Sequence, residues 1–372
     1  MKGFVPMNNL CIKEQTAILE LCKICDDNKE RILGLLTTEL DYPYILGHLM
    51  FNRVAALAYV KLKEYDLLKR LNREFVNSLK GIYDSSKTIA DGFKTFLSSL
   101  SYTLDGETRP FALLKGSFLS TLYPYGTRIS NDVDLLINKE DITYFVDKFK
   151  SNGYEQGFIR GGEFVPASRK DIIESRMNNG ETVPLIKESG LSNLKYFEID
   201  LNFSLDHKAK QENDMVSVLL QGRENLIETY KKTLPTLCTA DFFIYLCLHL
   251  YKEATVYDWV RLERDMTLYK FVDIYLFLKK FGDRTFSEEL AEKIKAYGFE
   301  KECYYAIVNT CRLFDIYESN IDDLLKKIAP DDLSYLNRVI FPSEKRVYTY
   351  NVDVKEWCFL NNRKDYLSEV RI

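Results

Sequence analysis

Hydrophobic positions recur at steps of three and four from about residue 13 to 101. Ile18, Leu19, Leu21, Cys22 and Cys25 form one such set, and Leu46, Met50, Val54, Leu57, Val60 and Leu62 another. Both predict amphipathic helices. Asp41 stands where it can cap the second, with Pro43 in the first turn, where a missing N–H costs nothing. Arg70 to Leu100, with Leu71, Phe75, Leu79, Ile82, Ile89, Phe93, Phe96 and Leu97 on its apolar stripe, predicts one or two further helices. The texture changes at the turn Asp105-Gly106-Glu107. Phe111-Ala112-Leu113-Leu114 reads as a short buried strand, Asp132 to Ile137 as a second, and the alternating Tyr196 to Phe203 as a third. Asp141 to Lys150 returns to helical spacing. Residues 153–184 mix glycines, short β-like runs and charges, the pattern of an inserted loop or a sheet edge. Gly161-Gly162 lacks the Lys-Ser/Thr of a phosphate loop and reads as a turn.

Beyond about residue 212 the pattern is helical to about 340. Thr239 is the expected cap of Ala240 to Tyr251, and Tyr269 to Phe281 is a strongly apolar helix. Tyr348, Tyr350, Trp357 and Phe359 mark a strand-like tail. The expectation is an α+β chain in four parts: a helical region over 1–101, a small mixed-sheet core over 102–210, a helical domain over 211–345 and a tail over 346–372.

Composition narrows the function. With 372 residues, the chain has room for two domains and a large core. At 46% hydrophobic and 28% charged it is ordinary globular material. Lys+Arg 51 against Asp+Glu 55 leaves a net charge of −4, without the positive field of a sequence-blind nucleic-acid or lipid binder. Nucleic acid and membrane are therefore not expected partners. No run reaches the ~18–20 apolar residues of a membrane-spanning helix, and the first residues lack the apolar core of a signal peptide. Eight scattered cysteines, with one CxxC at Cys22 and Cys25 and no second ligand pair, read as reduced core thiols. The expected location is the cytoplasm. His249 reads as a satisfied core histidine, His48 and His207 carry no partner pattern, and the 25 Tyr and 23 Phe fall mostly at helical core positions.

Three acids stand out. Asp132 and Asp134, one residue apart on a strand, point to the same face. Asp200 has the same grammar on the next clear strand, two residues after Glu198. Gathered carboxylates repel unless a divalent cation lies among them, and hard oxygen ligands suit Mg²⁺, or Mn²⁺ in its stead, shared with nucleotide phosphates. Upstream, Lys115-Gly116-Ser117 closes a strand and opens a helix. Gly116 lets a phosphate approach the backbone, and Ser117 offers a hydroxyl and an N–H.

Gly116-Ser117, Asp132-Val133-Asp134 and Asp200 together resemble the signature of the DNA polymerase beta nucleotidyltransferase superfamily. More narrowly, Leu113-Leu114-Lys115-Gly116, Tyr123-Pro124, Arg128 and Asn131-Asp132-Val133-Asp134-Leu135-Leu136-Ile137 resemble the bacterial "uncharacterised nucleotidyltransferase" family, with its KG, YP, R and DIDLLV elements. Asn52-Arg53-Val54, Leu246 to Leu250 and Val272-Asp273-Ile274 resemble its flanking helices, so the likeness covers about residues 40–285. It implies a nucleotidyltransferase core between helical regions. It further implies Asp132, Asp134 and Asp200 as metal ligands, Asp200 also assisting the acceptor, and Gly116 and Ser117 holding the triphosphate, with Lys115 and Arg128 as phosphate charges. The expected reaction is metal-dependent transfer of a nucleotidyl group from a nucleoside triphosphate, ATP by default, to a hydroxyl or phosphate on a small molecule or peptide. Two alternatives stay open. One is a nucleotide-sugar-dependent glycosyltransferase tailoring a phosphorylated ribosomal peptide such as a lasso peptide. The other is a non-catalytic nucleotide-binding or antitoxin-like protein.

Overall fold

The computed structural model describes residues 12–178, 180–205 and 215–370; Cys11 and His207 lie outside them. The leading period becomes helices α1 (Ile12–Cys22), α2 (Lys29–Leu36), α3 (Tyr42–Phe51), α4 (Ala55–Glu64) and α5 (Arg73–Thr103). Asp41 caps α3 by accepting the Tyr44 N–H, with Pro43 in the first turn. The stripe from Arg70 onward is one helix of 31 residues, opened by Asn72, whose side chain accepts from Glu74 N and Phe75 N.

After the Gly106 turn come β1 (Phe111–Leu113), α6 (Gly116–Leu122), β2 (Asp132–Ile137), α7 (Ile142–Ser151), β3 (Glu155–Arg160), β4 (Glu163–Pro166), α8 (Arg169–Asn178), β5 (Leu185–Glu188) and β6 (Tyr196–Asn202). The three expected strands are β1, β2 and β6. They sit inside an eight-stranded mixed sheet of order β4-β3-β5-β6-β2-β1-β8-β7. β1 and β2 are antiparallel, whereas β2 pairs parallel with β6 and β1 parallel with β8. Residues 153–188 form a sheet edge: β3, β4 and β5 widen the sheet beyond β6, with Gly161 and Gly162 at positive φ in the β3–β4 turn.

One expectation is corrected here. The stretch beyond 212 is not uniformly helical, because α9 (Met215–Gln221) is followed by the hairpin β7 (Glu224–Glu228) and β8 (Thr233–Thr236). Local period is too weak to specify two such short strands, and the free edge of β1 decides the matter. Leu113 is in register with Thr236, whose hydroxyl donates to the Leu113 carbonyl at 2.7 Å. The sheet therefore draws on residues past 210.

The rest is helical as expected: α10 (Thr239–Thr255), α11 (Tyr257–Arg261), α12 (Leu268–Phe281), α13 (Arg284–Tyr297), α14 (Glu300–Phe314) and α15 (Ser319–Ile328). Cys238, not Thr239, occupies the capping position of α10, and no side chain caps it. The tail holds β9 (Arg338–Phe341), β10 (Arg346–Tyr350), α16 (Val354–Trp357) and β11 (Leu367–Val370), with the strands in a small antiparallel sheet. Buried Asp265 ties this tail down by accepting from Arg363 Nη1 at 2.6 Å and from Trp357 Nε1. Cys22, Cys247, Cys303 and Cys358 are buried free thiols, but Cys25 is exposed, so the core-thiol reading does not extend to it. Among the described residues no helix is long and apolar enough to cross a membrane.

Two packings hold the sheet between its helices. Phe96 of α5 stacks on Phe197 of β6, ring centroids 4.5 Å apart. Nearby, a Cβ on Gly92 would stand 2.9 Å from Leu194 Cβ, so the helix can approach only as glycine. On the C-terminal side, Phe118 of α6 meets Phe242 of α10 edge-on at 4.9 Å, and Phe242 stacks on Phe277 of α12 at 5.6 Å. Phe242 is fully buried. Phe242→Ala should cost about 3–5 kcal/mol, read as a lowered urea midpoint, and an unchanged midpoint would show that α10 is not anchored this way.

Candidate active site

The site begins with strand register. β2 and β6 run parallel with Asp132 paired to Glu198 and Asp134 paired to Asp200. Partners on adjacent strands lie on the same face about 4.8 Å apart, so four carboxylates form a two-by-two array. The other face of β2 is apolar and fully buried at Val133 and Leu135, which fixes which way the acids point. Ser130 Oγ donates to Asp132 Oδ1 at 2.9 Å, and Asn202 Nδ2 donates to Asp134 Oδ1 at 3.3 Å.

Burial pushes the Asp200 carboxyl well above the usual carboxylate range, and the charges of Asp134, Asp132, Glu198 and Glu181 push it further. Glu198 is raised by burial and by Asp132 and Asp134. Glu181 arrives through the sheet-edge segment, where it bridges to Asn202 at the end of β6. Glu198 and Glu181 are members of the cluster that sequence reasoning did not select. The alternation Glu198-x-Asp200 was a usable signal for the first; nothing local marks the second.

Lys115 enters from β1. Leu114 N–H donates to the Asp134 carbonyl at 2.9 Å, so strand pairing runs one residue past β1 and sets Lys115 beside Asp134. Its Nζ donates to Asp134 Oδ1 at 2.7 Å. Burial pulls the ammonium pKa down, but Asp134, with Tyr245 and Asp132, outweighs burial and holds it well above its ordinary value. The residue has φ +43° and ψ −121°, a conformation that glycine normally takes.

Gly116 and Ser117 follow at the start of α6. A Cβ on Gly116 would fall 2.4 Å from Ser130 Cβ and Oγ, so the glycine is required by the close approach of the serine that holds Asp132. Ser117 is fully buried; its N–H donates to Leu114 O at 3.2 Å and its hydroxyl has no partner among the described residues.

Arg128 is paired with α12. Its Nε and Nη2 donate to Asp273 Oδ1 and Oδ2 of α12 at 3.1 and 3.0 Å, and its Nη1 to the Ile129 carbonyl at 3.0 Å. Tyr123 OH donates to the same Asp273, and the guanidinium lies over the Tyr269 ring at 4.9 Å. The structure thus sets Arg128 as a bidentate clamp between the loop before β2 and α12.

Among the described residues no three His, Cys, Asp or Glu side chains are assembled into a cation cage. The donor chemistry still fits a hard divalent ion. The donors are carboxylate oxygens, the upward shift of Asp200 marks a shortage of positive charge, and Lys115 is the single cation paired to the array among the described residues.

Two stability predictions follow from these charges. Asp200 titrates above its unfolded value, so it removes stability above the folded pKa and ceases to do so as pH falls toward the ordinary carboxylate range. In chelator, Asp200→Asn should therefore be more stable than the parent at pH 8, on the order of 1 kcal/mol or about 2–4 °C in Tm, with the gap closing near pH 4. A gap independent of pH in thermal melts would contradict the charge array. Asp273→Ala strands a buried guanidinium and should cost about 3–5 kcal/mol, checked by chemical denaturation.

Comparison with known proteins completes the site's description. Curated proteins give no match. A solved structure, an antigenic nucleotidyltransferase-like protein from Paracoccidioides brasiliensis, is similar at 14% identity with a TM-score of 0.37, over 64% of this chain and 93% of that one. The family model described as "Uncharacterised nucleotidyltransferase" matches residues 38–315, well over half the chain and the whole of the acid array. The chain belongs to the uncharacterised nucleotidyltransferase family.

Proposed function

We propose that the protein is a metal-dependent nucleotidyltransferase that moves a nucleotidyl group from a nucleoside triphosphate to a hydroxyl or phosphate on a small molecule or peptide. The observation that carries this reading is the register of β2 on β6, which stacks Asp132 on Glu198 and Asp134 on Asp200. An array of like charges answered, among the described residues, by Lys115 is costly to the fold and suits a bound divalent cation. Asp132, Asp134 and Asp200 would hold Mg²⁺ or Mn²⁺. When bound, that ion neutralises phosphate charge and the developing charge of the leaving pyrophosphate.

The protein's own groups do the positioning. Ser130 fixes the Asp132 carboxylate, and Asn202 ties Asp134 to the backbone of Asp200. Lys115, now paired to Asp134 Oδ1, would supply a positive charge to a phosphate oxygen. Ser117, whose buried hydroxyl lacks a partner, supplies a donor to the phosphates. The acceptor oxygen attacks the α-phosphorus. The bond from that phosphorus to the β-phosphate oxygen breaks, and its electron pair leaves on pyrophosphate. With a hydroxyl acceptor, the proton passes to Asp200. Little covalent work falls to the protein. Arg128 serves this reading as a positioning residue that steadies the loop before β2.

Incubation with Mg²⁺, mixed nucleoside triphosphates, nucleotide-sugars and products of neighbouring genes, followed by mass spectrometry, tests the reading. Nucleotidyl mass additions are expected. Asp132→Asn and Asp134→Asn should each reduce them at least about a hundredfold with the fold intact by circular dichroism. Hexose additions instead would replace this reading with sugar transfer, and metal-dependent binding without any product would replace it with a non-catalytic role.

A further inference from the structure

Helix α10 is apolar and buried along most of its length, yet one side carries Tyr245, His249 and Lys252 at steps of four and three, which puts them on a single helix face. Phe242 lies about one turn before Tyr245 on the same stripe, its ring 6.4 Å from the tyrosine's, and meets Phe118 of α6, three residues after Lys115. That contact sets the stripe alongside the helix that opens next to Lys115, the lysine paired to Asp134. Tyr245 is within electrostatic reach of Lys115, Asp134 and Glu181, and Lys252 of the same three groups.

The members of the face differ in what they already hold. His249 lies 3.3 Å from Glu253 Oε2, and Lys270 pairs with the same oxygen at 2.5 Å, so the histidine is already engaged with charged neighbours. Tyr245 is 1% exposed and its hydroxyl has no hydrogen-bond partner among the described residues. A phenol buried this way loses the water it would otherwise bind, and normally finds a partner. Lys252 is half-buried and makes no ion pair or hydrogen bond among the described residues, with the Trp259 ring 5.6 Å from its Nζ. Burial pulls its ammonium down to about 8 against the opposing pull of Glu253, which marks a cation short of a counter-charge.

We propose that Tyr245 and Lys252 form the far wall of the donor site, where they hold the phosphate chain of the nucleoside triphosphate on the side away from the aspartates. This rests on the nucleotidyl-transfer reading and adds to it a second source of phosphate binding, drawn from the helix beyond the sheet. A triphosphate whose charge is met on one side by a cation on Asp132, Asp134 and Asp200 still carries anionic oxygens on the other. Lys252 supplies a charge there, and the Tyr245 hydroxyl donates to one of the same oxygens. The wall also gives the Arg128 candidacy a successor, since the arginine is spent on Asp273.

The test uses inorganic tripolyphosphate with Mg²⁺ as probe and isothermal titration calorimetry as readout, on the full chain. The parent should bind, Lys252→Met should weaken binding tenfold or more, and Lys252→Arg should stay within about threefold of the parent. Tyr245→Phe, which removes only the orphan hydroxyl, should weaken binding several-fold with an unchanged melting temperature, and it decides the matter if Lys252→Met proves unstable. Parent-like binding in both Lys252→Met and Tyr245→Phe overturns the wall and leaves the transfer reading standing. Absence of binding in the parent overturns both.

Discussion

The structure depends on one pairing: β2 against β6, parallel and in a register that sets acid beside acid. A slip of one residue would turn Asp132 and Asp134 into the core and Val133 and Leu135 onto the face the acids now occupy. The buried apolar side prevents that, so the same residues that stabilise the sheet oblige the carboxylates to crowd. The structure relieves the crowding only locally. Ser130 and Asn202 donate single hydrogen bonds, and Lys115 gives one charge. That lysine reaches Asp134 from a backbone conformation that suits glycine, a cost of order 1–3 kcal/mol. A side chain kept in such a conformation beside a carboxylate is better explained by a task at the site than by stability.

Gly116 shows how closely the parts are fitted. Read alone, a glycine at the head of a helix invites a phosphate; in place, its missing side chain is what lets Ser130 close on Asp132. The glycine acts on the aspartate through the serine. The neighbouring Ser117 then remains as the group with unspent hydrogen-bonding capacity, since its amide is bound to Leu114 O and its hydroxyl is not.

Much of this was legible along the chain, and the boundary of legibility is physical. A short apolar run located β1, alternation located β2 and β6, and the Asp41-x-Pro43 pattern located the start of α3, because those signals are carried by neighbours in sequence. The β7–β8 hairpin was not legible: its strands are short, Pro235 interrupts one, and their stability comes from the edge of β1 more than a hundred residues earlier. Arg128 could be recognised as a charge near the acids, but its partner lies 145 residues away on α12. Glu181 and Tyr245 gain meaning only once the sheet edge folds against β6 and α10 docks on α6. Sequence spacing reports which residues share an element; which elements face each other is set by packing.

That distinction bears on the helices that follow the sheet. They could be taken for a separate appendage, since the acids all lie before residue 201. Three restraints argue otherwise. Asp273 of α12 grips Arg128 just ahead of β2, Phe242 of α10 packs on Phe118 of the helix that opens after Lys115, and the polar side of α10 stands within electrostatic reach of Asp134. The first two join C-terminal helices to the segments that flank β2 and follow Lys115, through a buried ion pair and an aromatic contact. In the apo protein the like charges on β2 and β6 push apart, and the clamp and the stack resist that separation. The helices therefore belong to the same packed unit as the acids and help to hold a repulsive arrangement of carboxylates in place.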